Sequence, residues 1–199
     1  MLSIIIPSQL EEHAPDVVND ILHYYPKAQV IVVTDRYRKG KGWAIREGLR
    51  LAKGRIVVFL DGDHDIHPKM IRRLMFHMAE FDIVVGKKDT RDNIFRYIVT
   101  LLSRLYIYIM FAIPVDTQTG IKAFRRDKIP DWECNSFAFD IEILRKAKEL
   151  GYSMYEVTVE AKRSKPVKLI SIWRTFIESI KILKGGDDNG LQSTEEKEI

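Results

Sequence analysis

One cysteine, Cys134, stands among 199 residues. It excludes an internal disulfide framework and a cysteine-based zinc cluster, fits a reducing compartment, and packs as lone cysteines usually do, as a small hydrophobe. No basic leader with a cleavage site opens the chain, because Met1 to Pro7 is an apolar run of strand length, so a cytoplasmic protein is expected. No run is long enough to span a bilayer either. In 94–115, IFRYIVTLLSRLYIYIMFAIPV, Arg96 and Arg104 interrupt the apolar residues, and the uncharged run from Leu105 to Val115 falls short of the ~20 residues a hydrocarbon core needs. Charge of one sign is also scarce: 32 Lys and Arg against 28 Asp and Glu leave a net charge of +4, which secures solubility without demanding a nucleic-acid partner.

What is present suits one α/β domain. Hydrophobic residues make up 46% of the chain, enough for a single core with its covering helices. Six segments read as strands: Leu2 to Ile6, Gln29 to Thr34, Ile56 to Leu60, Asp82 to Val85, Gly120 to Phe124 and Tyr155 to Glu160. Helical patterns separate them. Ile71, Leu74, Met75 and Met78 fall at i, i+3, i+4 and i+7 behind Pro68, and Ile141, Leu144 and Ala147 repeat the spacing up to a stop near Gly151. This alternation predicts a mostly parallel central sheet with helices on both faces. Tyr155, Val157 and Val159 alternate with Glu156, Thr158 and Glu160, as in a half-exposed strand near an edge. From Gly185 the chain, GGDDNGLQSTEEKEI, is polar and aperiodic and reads as a disordered tail.

The stretch RIVVFLDGDHDIHPKM, residues 55–70, sets an apolar strand directly before three alternating carboxylates, Asp61, Asp63 and Asp65. Residues two apart share a strand face, so Asp61 and Asp63 converge if the extended conformation persists past Leu60. In open α/β sheets ligands bind at the carboxyl ends of strands, and two acids meeting there call for a cation between them. Oxygen ligands favour Mg2+ or Mn2+, whose remaining positions substrate phosphates commonly fill. Other readings share the spelling. A calcium loop would need Gly and Glu where Ile66 and Arg72 stand. A phosphoryl-accepting Asp61 with Asp63 as acid lacks the threonine expected to follow. A transition-metal site built from His64, His67 and the acids would need the chain to bend.

The block GKGWAIREGLRLAKGRIVVFLDGD (40–63) resembles the G-K-G…D-x-D block of the family 2 glycosyltransferases of GT-A fold. DTQTGIKAFRR (116–126) and FAFDIEILRKAKELGYSMYEVTVE (137–160) are similar to blocks of the polyprenyl-phosphate sugar transferases among them, the dolichyl-phosphate glucosyltransferases and dolichol-phosphate mannose synthases. The resemblance covers about Leu2 to Leu183 and implies a single GT-A domain over 1–184. It implies transfer of a hexose from a UDP- or GDP-linked sugar to a polyprenyl or dolichyl phosphate, usually with inversion. Asp61 and Asp63 inherit the metal and diphosphate, with Asp65 as a third ligand. Pro7, Glu11, Asp35, Lys41 and Gly42 fall on the donor side. Lys41 and the amides around it lie between strand two and a helix starting near Trp43, where they can meet phosphate. Lys122, which aligns the acceptor phosphate, and Asp140, which faces the sugar or caps its helix, join the acids as catalytic candidates. Relatives carry a further helix and strand before G-K-G, whereas here Asp35 is five residues from Gly40, so the donor half is abbreviated.

A lipid-phosphate acceptor is already ionised at neutral pH, so positive charge to align it matters more than a base. Arg96, Arg104 and Lys122 are candidates, with Gln118 and Thr119 of the DTQTGIK loop near the sugar. Residues 94–113 and 167–183 are expected to form amphipathic helices lying at the cytoplasmic membrane surface. Two rivals stand beside this reading. A nucleotidyltransferase would open with a glycine-rich loop that PSQLEEHAP lacks, and a binding module of the same fold would have lost turnover.

Overall fold

The computed structural model describes residues 1–8, 14–89, 94–136 and 138–162, the side chains of residues 14 and 94–96 aside. The expected helix at 167–183, the tail, Glu11 and the side chain of Arg96 lie outside them. All six expected strands form: β1 (Leu2–Ser8), β2 (Gln29–Thr34), β3 (Ile56–Leu60), β4 (Ile83–Lys88), β5 (Ile121–Arg125) and β6 (Met154–Val159). Five helices are described: α1 (Ala14–Tyr24), α2 (Lys41–Leu51), α3 (Ile71–His77, behind a 3-10 turn at Pro68–Met70), α4 (Ile94–Phe111) and α5 (Phe139–Glu149). One sheet orders the strands β2-β1-β3-β5-β4-β6. Every pairing is parallel except those of β5, which runs against both β3 and β4. β6 closes an edge, as its half-exposed alternation foretold.

Period-two alternation divides the core into two layers. Ile5, Val57 and Phe59 face a cluster with Ile45 of α2, Phe111 of α4 and Phe139 of α5. Ile4, Ile6, Val58 and Leu60 face another with Val17 and Ile21 of α1 and Ile71 and Leu74 of α3. Both faces of β1 and β3 are therefore covered, and continuous apolar runs such as III (4–6) and IVVFL (56–60) are what a doubly covered strand requires. From β1 the chain goes outward to β2 and then crosses back to β3 on the other side of β1. Such a switch leaves a crevice between the carboxyl ends of β1 and β3, where open α/β sheets bind ligands.

The helix α4 departs from this economy. Of its described side chains only Ile107 and Phe111 are buried, while Ile98, Leu101, Leu102, Leu105, Tyr108 and Ile109 stand exposed, Ile109 at 69%. Most of this helix therefore faces solvent, and only its last turns join the core. Among the described residues no helix is long and apolar enough to cross a membrane.

Candidate active site

β3 ends at Leu60, and Asp61 emerges at its carboxyl end. The extended conformation does not persist as the alternation assumed: Gly62 and Asp63 form a turn, and His64 takes a left-handed φ of 58°. The carboxylates accordingly meet different neighbours. Asp61 pairs with Lys41 Nζ at 2.8 Å, and its backbone N–H donates to the Gly120 carbonyl at 2.9 Å. A Cβ on Gly120 would lie 2.4 Å from Asp61 Oδ2, so only glycine lets the loop before β5 close over this carboxylate. Asp63 is exposed; one oxygen accepts the Asp65 N–H at 3.1 Å, and the other has no partner among the described residues. Asp65 is paired with Lys88 at the end of β4.

Behind Asp61 runs a buried chain of alternating charge. Lys41 also reaches Asp140 of α5 at 3.4 Å, and the other Asp140 oxygen holds Lys122 Nζ at 2.8 Å. Lys122, only 1% exposed on β5, also donates to the Thr119 carbonyl at 2.7 Å. Burial works against the Lys41 charge, but Asp140 and Asp61 outweigh it and hold its ammonium above the ordinary lysine range. Four residues from α2, β3, β5 and α5, far apart in sequence, are thus tied into one cluster.

The G-K-G loop reaches this cluster by a route the sequence left open. Asp35, 4% exposed, accepts the N–H groups of Lys39 (2.9 Å) and Gly40 (2.6 Å), so its carboxylate folds the loop. The Gly42 N–H donates to the Asn135 carbonyl at 2.8 Å, and a Cβ on Gly42 would meet the Cys134 carbonyl oxygen at 2.3 Å. Amides 39, 40 and 42 are therefore engaged within the protein, and the loop's contribution to the crevice is the Lys41 ammonium. Glu142 buttresses the opposite wall. Its oxygens accept the Glu133 and Cys134 N–H groups at 3.0 and 2.9 Å, and Lys146 lies 2.8 Å away. Burial would raise its pKa, but the Lys146 ammonium and these amides leave it lowered.

On the acceptor side, Asp116 Oδ1 accepts the Gln118 N–H at 2.8 Å; the Gln118 side chain is exposed, while Thr119 is buried and its hydroxyl has no partner among the described residues. Arg104 Nη2 contacts both Glu156 oxygens at 3.1 and 2.9 Å, whereas its Nη1 is buried without a partner among the described residues. Sequence reasoning missed Lys87, which pairs with Glu156 at 3.2 Å, and Lys88. Their position at the carboxyl end of β4 was the available signal. Pro7 lies in β1, paired with Val33.

His64 and His67 do gather as a transition-metal site would require, but around Asp20 of α1. His64 Nε2 lies 2.9 Å and His67 Nε2 3.4 Å from Asp20 Oδ2. Lys162 Nζ donates to His64 Nδ1 and the Lys69 N–H to His67 Nδ1, which puts the ring protons on the Nε2 atoms that face Asp20. As bonded, the trio ties the turn after Asp63 to α1 with hydrogen bonds.

A family model described as glycosyl transferase family 2 matches residues 3–147. The chain is 24% identical over 174 residues to a dolichyl-phosphate beta-glucosyltransferase of Dictyostelium discoideum (78% of this chain, 53% of that one). It is 27% identical over 173 residues to that of Drosophila melanogaster (76% and 52%), so it spans about half the length of these curated relatives. Among solved structures, the glucosyl-3-phosphoglycerate synthase of Mycobacterium tuberculosis, in complex with Mn2+, UDP and glucosyl-3-phosphoglycerate, superposes with a TM-score of 0.69 at 18% identity, covering 93% of this chain and 79% of that one.

Proposed function

Because the chain belongs to glycosyl transferase family 2, we propose that it moves a hexose, glucose in preference to mannose, from a nucleotide diphosphate sugar to a polyprenyl-type lipid phosphate at a membrane surface. The observation that carries this reading is the cluster Asp61–Lys41–Asp140–Lys122 at the carboxyl end of β3 and the amino end of the antiparallel β5, beside the switch-point crevice. The curated relatives named for transfer of glucose to dolichyl phosphate support the choice of sugar and acceptor.

The donor set fits a hard divalent cation. Asp63 offers an unpartnered carboxylate oxygen, and Asp61 brings a second carboxylate at the same turn. Mg2+ or Mn2+ held there would neutralise the departing nucleoside diphosphate. The chain's own residues supply the rest. Lys41, charged through the ordinary pH range, stands beside Asp61 to meet a donor phosphate. Asp140 fixes Lys41 and Lys122 relative to each other, and Lys122 presents positive charge beneath the Gln118–Thr119 loop for the acceptor phosphate. An acceptor phosphate oxygen attacks the anomeric carbon as the bond to the diphosphate oxygen breaks. One direct displacement inverts the sugar, and no proton has to be removed from the nucleophile. Arg104, with its unsatisfied buried Nη1, is the second proposed acceptor contact.

A second reading, a nucleotide-sugar or lipid-binding module without turnover, draws on the short donor half, in which β2 alone lies outside β1. One assay separates them. The protein is supplied with UDP-glucose or GDP-mannose, a short-chain polyprenyl phosphate and Mn2+, and lipid-linked hexose is measured beside nucleotide affinity. Metal-dependent product from UDP-glucose, with product and UDP binding both lost in Asp63→Ala, is the expected result. UDP binding without product establishes the module, and unchanged UDP affinity in Asp63→Ala refutes the metal assignment.

A further inference from the structure

We propose that the amino-end edge of the sheet carries a second, metal-independent anion site whose ligand is an oligophosphate, inorganic or nucleoside-borne. An open cavity of about 760 Å³ lies there, lined by Lys53, Arg55, Met78, Arg125, Arg126 and Asp127 among others. Arg55 precedes β3 and Arg126 follows β5, and because these strands are antiparallel the two residues are neighbours: the Arg126 N–H donates to the Arg55 carbonyl at 2.8 Å. Asp61 is six residues from Arg55 along β3, roughly 20 Å at strand rise. The cavity is therefore separate from the crevice of the proposed transferase, and it does not depend on that reading.

The lining holds four cations against one carboxylate, Asp127. Arg125 is spent on the fold, its guanidinium donating to the carbonyls of Phe81, Met78 and Ala79. Lys53, Arg55 and Arg126 are exposed, and their side chains have no ion pair or hydrogen bond among the described residues. Lys69, Arg73, Lys87, Lys88 and Arg104 each lean on a carboxylate, and exposed cations without one, such as Lys27, Arg38 and Lys148, also stand elsewhere; what sets this place apart is that three of them line one concavity and repel one another. A multivalent anion relieves that repulsion, and guanidinium forks match phosphate oxygens in pairs.

Size and shape narrow the ligand. The volume falls within the range of small-molecule sites and exceeds what one orthophosphate fills. A bilayer is the poorer occupant. The charges line a concavity rather than a flat face, and the exposed apolar helix α4 is tethered by both its connections to the opposite edge, between the end of β4 and the start of β5.

The test is calorimetric titration of the whole chain in EDTA with orthophosphate, tripolyphosphate and ATP, in parent, Lys53→Ala/Arg126→Ala and Asp63→Ala proteins. Both substituted cations are exposed, so melting temperature should hold. Expected are about one tripolyphosphate per chain, at least tenfold weaker orthophosphate, affinity falling as salt rises, at least tenfold loss in the double variant, and no change in Asp63→Ala. ATP binding like tripolyphosphate means that phosphate alone is read; tighter ATP binding means that the Met78 wall also takes the base. No saturable binding, or affinity in the double variant within twofold of the parent, overturns the proposal. So does a double variant that loses only its hold on phosphatidylcholine vesicles containing phosphatidic acid, which would make the patch a membrane contact.

Discussion

Asp140 sits between two ammonium groups, and the pair it forms with the almost fully buried Lys122 is costly to break. Removing one partner of a buried pair leaves an uncompensated charge, typically worth about 3–5 kcal/mol, whereas replacing both with apolar groups is often tolerated. Asp140→Leu should therefore lower stability by about 3 kcal/mol or more, and Asp140→Leu/Lys122→Met should recover most of it in denaturant melts. If the double variant is as unstable as the single, Lys122 is not the charge that Asp140 neutralises. Transfer should be lost in both, because the single variant removes the carboxylate that fixes Lys41 and Lys122 and the double variant also removes the Lys122 cation. Asp35 makes the contrasting case. With its oxygens bonded to two backbone amides, Asp35→Asn surrenders one acceptor and should cost about 1–2 kcal/mol. UDP affinity should remain within about threefold of the parent; a much larger loss would mean that the carboxylate reads the nucleoside directly.

The segment 132–136 and the start of α5 form a brace across α2, and Glu142 is its pin: Arg46 reaches the Trp132 carbonyl and Asn135, while Glu142 holds amides 133 and 134. The folded pKa of Glu142 is lowered, so its contribution is complete above the ordinary glutamate value of about 4.3 and fades as pH falls through the lower folded value. The melting temperature of the parent should exceed that of Glu142→Gln near neutrality, and the gap should narrow as pH falls below the ordinary glutamate value. A constant gap would show that the bonds do not depend on the charge. At this scale the sequence was highly legible. β2 and β3 fall where alternation and flanking polar residues put them, and the other strands shift by one to three residues. The reversed direction of β5 was hidden, because strand direction is set by partners rather than by local pattern. The bend at His64 was hidden too, since a positive φ at a histidine leaves no trace in spacing. Lys41, Lys122, Asp140 and Asp61 could be named from the family's motifs, but their union in one cluster belongs to the topology, which brings α2, β3, β5 and α5 to one edge.

Across the whole molecule chemistry and apolar surface share one end. The loop returning from α4 runs through Asp116 to Gly120, which abuts Asp61, so one short loop joins the exposed stripe of α4 to the charge cluster. Eight exposed large apolar residues on one helix form a patch that water does not favour, and the proposed lipid-phosphate acceptor carries its chain into a bilayer. If the helix rests on the membrane so that the acceptor phosphate meets Lys122 and Arg104, spoiling the stripe should impair delivery of the lipid and leave the chemistry intact. Leu102 and Ile109 are 59% and 69% exposed, so Leu102→Glu/Ile109→Glu should leave stability within about 1 kcal/mol. Binding to neutral phosphatidylcholine vesicles should drop by about tenfold or more, given the ~1.5–3 kcal/mol carried by each buried aliphatic side chain. The kcat/KM for a long-chain polyprenyl phosphate in vesicles should fall in proportion, whereas that for a water-soluble short-chain acceptor should not. Equal loss with both acceptors would place the helix's role inside the site, and no loss with either would leave its apolar face for a protein partner.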